Sequence, residues 1–278
     1  MRRTRISRNK AMSGIVTFLI LAIVFVGSGY LIGKFLLSSL LQRQPAGEPV
    51  SGDKTQPPPS GASTVSVQIS TKPLTLYRVQ LGAFSSRENA DKTAALAIQQ
   101  GVPAGVMSPD PLHKVYCGVT GSKEAAMKLS ESALPKLSGI VGKDDNLYVA
   151  TMDVTAYDFS ITGAKEMVEE LQGAFATLDN AMASLIGFWD AYYLGQEIQV
   201  NLASMEQDIT AVKDDLAKLT ADSGAKTAHE VALQIATDME EAIKEARKVQ
   251  GGDGASITSG MTALINLVDE YVQSLKGL

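Results

Sequence analysis

The sequence predicts an α+β protein with an N-terminal transmembrane helix, a four-stranded βαββαβ domain and an all-α C-terminal helical bundle. Three observations lead to this prediction. Residues 11–33 contain no charged side chain, a unit that starts at Tyr77 is written again from His113, and apolar residues recur every three or four positions from Leu171 onward. These patterns are typical of a membrane span, of a supersecondary unit used twice, and of helices packed lengthwise.

The N-terminal decapeptide MRRTRISRNK carries five basic side chains and no acidic one, and an apolar stretch follows it to residue 41, interrupted by a single charge at Lys34. A helix needs about 20 apolar residues to cross a bilayer, whereas a cleaved signal peptide has only about 7–15 before a small-residue cleavage site. The following QRQPAGEP is a poor cleavage site, so we predict a transmembrane anchor over residues 11–41. Basic residues stay on the cytoplasmic side, which makes residues 1–10 a cytoplasmic tail and places the bulk of this single-pass protein outside the cell membrane.

Residues 44–73 are rich in Pro, Ser, Gly and Thr and show no apolar period. Proline favours extended geometry, and Gly/Ser pairs favour flexibility. Such a segment buries too little surface to offset its ordering entropy. We therefore predict a disordered linker over residues 44–73.

The repeated unit predicts a strand followed by a helix. In the first copy, LYRVQL alternates apolar and polar residues, which is the pattern of a half-exposed strand. Ser85 and Glu88 then have the spacing of a capping box, so a helix should begin there and end at Gly101.

The second copy repeats this plan, with KVYCGV as the strand and Ser122 at the start of the helix, although Gly121 stands where the first copy has its predicted capping serine. Short strand candidates at 104–107 and 147–154 complete a βαββαβ domain over residues 74–155. Because a crossover joins the strands of each half, both helices should cover the same face of a four-stranded sheet.

The segments VQLGAFSSRENADK and KVYCGVTGSKEAAMKL resemble the SPOR domain, the sporulation-related repeat of bacterial envelope proteins. The resemblance rests on a V-Q-x-G-x-F core followed by a Ser-capped, Ala-rich helix, on the second copy, and on the order of anchor, tether and domain. It implies binding to peptidoglycan, especially to septal glycan strands stripped of their stem peptides. The chain would then be a non-catalytic adaptor of the cell envelope, acting in division or sporulation.

The two faces of the predicted sheet differ in chemistry. The face toward the helices should carry the alternating apolar residues Tyr77, Val79, Leu81, Val115, Cys117 and Val119, and the opposite face should display Arg78, Gln80, Lys114 and Tyr116. An amide suits sugar hydroxyls and N-acetyl groups, a Tyr ring is a flat apolar surface, and basic groups meet the lactyl carboxylates of denuded glycan. The second set is the predicted glycan site, with Gln80 at its centre from the resemblance. The alternative is an ordinary solvated sheet face.

A four-stranded sheet of this order also builds RNA-recognition modules, which stack bases on two or three aromatics and need a basic surface. The predicted face has one aromatic residue, and the domain balances eight basic against eight acidic side chains. We therefore expect no nucleic-acid partner.

The C-terminal region, residues 160–278, shows four apolar stripes separated by breaks at Gly224 and at GGDG. From Ala156 onward there are eight basic and twenty acidic residues, a net charge of −12, which repels nucleic acid and anionic lipid. The spacing of the apolar residues shifts by one position beside Gly195, so the heptad pattern is out of register before and after it. Two readings remain open there: a turn that closes an antiparallel bundle, or a kinked long helix whose coiled-coil stripe seeks a second copy or a protein partner.

An enzymatic function lacks the necessary residues. His113 and His229 are the only histidines, and neither has metal-ligand spacing to another His or to Cys117, while no nucleophile or phosphate-loop motif is present. We predict no catalytic residue, no metal and no cofactor. The alternative to a glycan-binding adaptor is an envelope scaffold whose C-terminal helices carry the main function by binding proteins.

Overall fold

The computed structural model describes residues 64–107, 112–137, 139–141, 146–220 and 223–278. The predicted tail, the predicted anchor and residues 44–63 of the predicted linker lie outside the described residues. Within the described ranges, no helix is both long and apolar enough to cross a membrane. The strands are β1 (Thr64–Ser70), β2 (Leu74–Phe84), β3 (Gly105–Met107), β4 (His113–Thr120), β5 (Tyr148–Val154) and β6 (Asp158–Ala164). The helices are α1 (Arg87–Gln99), α2 (Lys123–Ala133), α3 (Lys165–Leu194), α4 (Leu202–Lys218), α5 (Lys226–Gln250) and α6 (Ser256–Lys276).

The four strands of the repeated unit form one antiparallel sheet in the order β3-β4-β2-β5. The βαββαβ order and the central position of β2 and β4, the first strands of the two copies, agree with the prediction. The two copies also begin their helices alike, because the hydroxyls of Ser86 and Ser122 accept hydrogen bonds from the amides of Asn89 and Ala125 at 3.3 and 3.2 Å. The prediction of Ser85 as the first cap was therefore wrong by one residue.

The end of the predicted linker is a strand. Residues 64–70 form β1, which pairs along its length with β6 in a separate two-stranded antiparallel sheet. Ile69 of β1 and Ile161 of β6 are buried beneath this ladder, which packs against α3. Apolar Val65, Val67 and Ile69 alternate with polar residues, which favours a strand. The partner strand β6 lies far along the sequence, so local sequence patterns do not predict the pairing.

The C-terminal region folds as four packed helices, preceded by β6 rather than beginning directly as helix. The slip near Gly195 marks a chain reversal, not a kink. Helix α3 ends at Leu194, and Gly195 follows with φ of +64°, a left-handed conformation that glycine adopts without steric cost. The amide of Gln196 closes this end by donating to the carbonyl oxygen of Ala191 at 2.9 Å.

The C-terminal helices and the four-stranded sheet share one hydrophobic core. Helices α1 and α2 cover one face of the sheet, while α6 lies across the other face at β3 and β4. A Cβ atom added at Gly105 would stand 2.6 Å from Cγ2 of Ile265, and the amide of Ala104 donates to Oγ1 of Thr262 at 3.1 Å. This half of the sheet is therefore sandwiched between helices, and the expectation of an open face is wrong there.

Cys117 is buried, as predicted, and burial raises the pKa of its thiol. It lies at an irregularity between β2 and β4, where the pairing passes from Val79 with Gly118 to Gln80 with Tyr116. This bulge reverses the alternation along β4. Val119 consequently pairs with Arg78 and shares its face, instead of facing α1 and α2 as the simple alternation predicted.

Candidate binding face

Strand pairing brings the predicted site residues onto one face of the sheet. Gln80 on β2 is paired with Tyr116 on β4 and, on its other side, with Tyr148 on β5. Directly opposite residues in an antiparallel pair project to the same side. Arg78 joins them because its guanidinium carbon lies 4.6 Å from the centre of the Tyr116 ring. We call this surface the binding face.

Half of the binding face is covered. Tyr116 exposes 0% of its surface, because α6 lies over this part of β4. Its prediction as a displayed aromatic is therefore wrong. Burial raises the pKa of the Tyr116 hydroxyl, and the positive charge of Arg78 opposes this rise. We call Arg78 and Tyr116 the covered half.

The covered half contains polar atoms with no hydrogen-bond partner in the described part of the chain. They are the hydroxyl oxygen of Tyr116 and Nε of Arg78, both buried. Another guanidinium nitrogen of Arg78 approaches the sulfur of Met107 at 3.8 Å, which is a weak contact. More than nine in ten buried polar groups in native proteins are hydrogen-bonded, so two neighbouring exceptions need an explanation.

Helix α6 places an acidic side chain near these groups. Burial raises the pKa of the Asp269 carboxyl, while a hydrogen bond from Gln273 and the positive charges of Arg78 and Arg87 act in the opposite direction. Asp269 is half-buried. A carboxylate of the protein's own C-terminal helix therefore stands within electrostatic range of the basic residue of the covered half.

The other half of the binding face is open. Gln80 is half-exposed, and its partner Tyr148 exposes 65% of its surface, the largest value among the described large apolar residues. Tyr148 begins β5, which is an edge strand of the sheet, whereas α6 packs mainly on β3 and β4. The sequence predicted this strand but gave no register for it, which is why Tyr148 was missed. We call Gln80 and Tyr148 the open half.

Lys114 stands at the rim of the sheet. It pairs with Met107 on β3 and with Ala83 on β2, near the start of β4, and it is half-exposed. Lys114 and Tyr116 are two residues apart on a stretch of β4 that pairs with β3 in regular register, so both share the binding face, and the irregularity opposite this stretch lies on β2 between Gln80 and Gly82. Three of the four predicted residues thus retain some exposure, and Tyr116 does not.

The described residues contain no group of three or more His, Cys, Asp or Glu side chains arranged to hold a metal ion. Nε2 of His229 lies 2.7 Å from the carbonyl oxygen of Leu216, so this ring serves the contact between α5 and the end of α4. The arrangement on the binding face, an amide beside an exposed aromatic ring with basic groups nearby, is suited to holding a polar, ring-containing ligand.

Comparison with known proteins identifies this part of the chain. Residues 73–142 match the family model of the SPOR domain, so the chain contains a SPOR domain, as its sequence predicted. Among solved structures, it is similar to the solution structure of the peptidoglycan binding domain of the B. subtilis cell wall lytic enzyme CwlC, with 26% identity over 29% of this chain and 91% of that one and a TM-score of 0.22. No match is found among the curated proteins. The family match contains Gln80 and the covered half, and it ends before Tyr148.

Proposed function

We propose that this chain binds the glycan strands of peptidoglycan through the open half of its SPOR domain. The observation that carries the proposal is the match of residues 73–142 to the SPOR family, together with the exposure of Gln80 and Tyr148 on one face of that domain. We further propose that the chain is a non-catalytic adaptor, anchored in the cell membrane through residues 11–41 with its N-terminus in the cytoplasm.

The chemistry of the open half suits a sugar polymer. The Gln80 amide offers two N–H donors and one acceptor, which match the hydroxyl and N-acetyl groups of glycan. The exposed Tyr148 ring presents a flat apolar surface on which a sugar ring packs, with its hydroxyl at the solvent edge. The two side chains are direct neighbours across the β2–β5 pairing, so one sugar unit touches both.

Binding is tested with the full-length chain and glycan strands from which an amidase has removed the stem peptides. We expect Gln80→Ala to weaken binding by about 0.5–1.5 kcal/mol, the usual net value of a hydrogen bond. Thr151→Ala is the matched control. Thr151 is exposed on the same strand β5, but it lies three residues from Tyr148 and therefore projects from the opposite face. Equal binding by wild type and Gln80→Ala would show that the open half is misassigned.

The anchor is tested by adding a protease to intact protoplasts. The proposed topology exposes the described fold to the protease, while the basic tail stays inside. We expect complete loss of an epitope placed after Leu278 and retention of an epitope placed before Met1. Protection of the C-terminal epitope would contradict both the topology and access to the wall.

A second candidate function is a protein-binding scaffold, favoured by the net charge of −12 from Ala156 onward. The sheet and the C-terminal helices share one core, so the two functions are best separated by point variants of the whole chain. We expect a fluorescent fusion of wild type to concentrate at division septa and the Gln80→Ala, Tyr148→Ala double variant to spread around the cell. Unchanged septal localisation of the double variant would favour the scaffold.

A further inference from the structure

The binding face does not stop at the edge of α6. Gln80 is the partner of exposed Tyr148 on one side and of buried Tyr116 on the other, so the open and covered halves form one continuous surface across three strands. The covered half also has the chemistry of a glycan site, because it combines an aromatic ring with a guanidinium group. An Arg guanidinium binds carboxylates through parallel hydrogen bonds, and denuded glycan retains lactyl carboxylates.

Where α6 packs on the covered half, buried polar atoms lack hydrogen-bond partners, which is unusual for a permanent core. The Tyr116 hydroxyl and Nε of Arg78 are buried without a partner, whereas a surface that evolved to stay closed normally pairs or replaces such groups. By contrast, α6 makes well-formed contacts elsewhere along its length, including the buried residues Leu264, Val268 and Leu275. Two of the three buried side-chain atoms without a partner in the described part of the chain lie where α6 meets the binding face, and the third is Nε1 of Trp189.

Asp269 brings a negative charge to the contact between α6 and the covered half. It is the acidic residue of α6 whose carboxyl senses the charge of Arg78. A carboxylate within electrostatic range of this guanidinium supplies the kind of charge that an anionic ligand group would bring. The helix therefore covers the aromatic ring and supplies a negative charge to the basic group at the same time.

We propose that Arg78 and Tyr116 are a second, covered half of the glycan site, and that α6 is an inhibitory cover whose Asp269 stands in for a ligand carboxylate. The inference rests on the proposed function and adds a closed and an open form to it. In the closed form, glycan contacts Gln80 and Tyr148 only. When α6 moves off β3 and β4, Arg78 loses Asp269 and gains the lactyl carboxylate, and Tyr116 gains a second sugar ring and hydrogen-bond partners for its hydroxyl.

A disulfide that locks α6 to the sheet tests whether the cover moves. A Cβ atom at Gly105 lies 3.2 Å from Cβ of Ile265, slightly shorter than the about 3.5–4.5 Å of natural disulfides, so a Gly105→Cys, Ile265→Cys pair should close with a small adjustment. Cys117→Ala in the same chain removes the natural thiol. We expect the oxidised protein to bind denuded glycan at least fivefold more weakly than the same protein after reduction.

A charge variant tests the cover without a crosslink. Asp269→Asn removes the carboxylate that lies within electrostatic range of Arg78, and we expect it to bind denuded glycan about threefold to tenfold more tightly. Glu270→Gln is the matched control, because it makes the same change at the next residue of α6, which is exposed and bonded to Ser274. It should bind as wild type does.

The results separate this inference from the proposed function. Tighter binding by Asp269→Asn, or weaker binding by the oxidised lock, supports the cover. If wild type binds glycan but neither variant changes the affinity, α6 is a permanent part of the core and the inference is wrong while the proposed function stands. If neither wild type nor Asp269→Asn binds, both are wrong.

Discussion

The hydroxyl of Tyr271 on α6 donates a hydrogen bond to the buried carboxylate of Asp179 on α3. The same carboxylate accepts a hydrogen bond from the backbone amide of Lys72 at 2.9 Å, in the turn between β1 and β2. Burial raises the pKa of Asp179, and these two hydrogen bonds limit the rise. One carboxyl group therefore connects the covering helix, the long helix and the entry of the chain into the SPOR domain.

Removing the Tyr271 hydroxyl should loosen this connection. We expect Tyr271→Phe to lower the free energy of unfolding by about 1.5–3 kcal/mol, because a hydrogen bond to a charged group is lost inside the protein. Urea denaturation followed by circular dichroism measures the change. Tyr192→Phe is the matched control on α3, where the ring is half-buried, and it should stay within about 0.5 kcal/mol. Equal effects of the two variants would contradict a special role for the Tyr271 contact.

Gly118 is required by the packing of α2 on the sheet. A Cβ atom at Gly118 would overlap Cδ1 of Leu129, whose side chain is 1% exposed and has little room to move. We expect Gly118→Ala to lower the free energy of unfolding by about 1–3 kcal/mol, the usual range for overpacking. Thermal unfolding measures the loss.

Gly173 on α3 offers the opposite case, since nothing lies within 4 Å of its added Cβ. Gly173→Ala should stabilise the protein by up to about 1 kcal/mol through helix propensity. A destabilising Gly173→Ala would show that α3 is not helical there in solution.

Glu240 should make the C-terminal helices sensitive to acid. It is 8% exposed and forms ion pairs with Lys213 of α4 and, at 2.7 Å, with Lys244 of its own helix. Hydrogen bonds from Lys213 and Lys244 lower the pKa of the Glu240 carboxyl to about 2 from its ordinary 4.5. A carboxyl group with a lowered folded-state pKa adds stability that is complete above its unfolded pKa and disappears as pH falls toward the folded one.

We therefore expect Glu240 to contribute about 1 kcal/mol at pH 7, since water screens its partly exposed lysine partners, and this contribution is lost between about pH 5 and pH 2. In urea titrations at several pH values, wild type should lose this contribution to the free energy of unfolding on acidification. Glu240→Gln should lack most of the contribution already at pH 7. Parallel stability curves for the two proteins down to pH 2 would contradict the assignment.

Two substitutions at Tyr148 separate its ring from its hydroxyl. Tyr148→Ala removes the apolar surface and should weaken glycan binding by about tenfold, as expected for an exposed aromatic anchor at the centre of a site. Tyr148→Phe keeps the ring and should remain within about threefold of wild type. Both variants should unfold at nearly the wild-type urea concentration, since the side chain is 65% exposed. A stronger effect of Tyr148→Phe than of Tyr148→Ala would show that the ring is not the binding element.

The sequence was sufficient for features encoded by neighbouring residues. The repeated LYRVQL and KVYCGV strands, the serines that open α1 and α2, and the break at Gly195 are local signals, and the structure contains each of them. The error of one residue at Ser85 arose because both serines of the SS pair suit a cap, and only the backbone conformation selects Ser86. The SPOR resemblance, which rests on the same local patterns, was also confirmed.

The cover over the binding face depends on packing between distant segments. One signal was available in α6, where Ile265, Leu267 and Val272 are buried. All three lie outside the heptad stripe of this helix, which consists of Ile257, Met261, Leu264, Val268, Tyr271 and Leu275. A helix that is apolar on more than one side is buried on more than one side. That pattern indicates a second contact surface on α6, but nothing in the helix itself indicates that the surface is the SPOR sheet. The same limit applies to β1, whose partner β6 follows after the whole SPOR domain.

The pairing of β1 with β6 has a mechanical consequence. If the membrane holds one end of the chain and the wall holds the binding face, tension enters the fold at Thr64, where seven residue pairs join the two strands. A pull directed along β1 loads these pairs together in shear instead of opening them one at a time. A tether joined directly to Leu74 would transmit the same pull to β2, the strand that carries Gln80. The ladder therefore passes part of the pull through β6 into the packed core before it reaches β2, while the binding face still carries the full force.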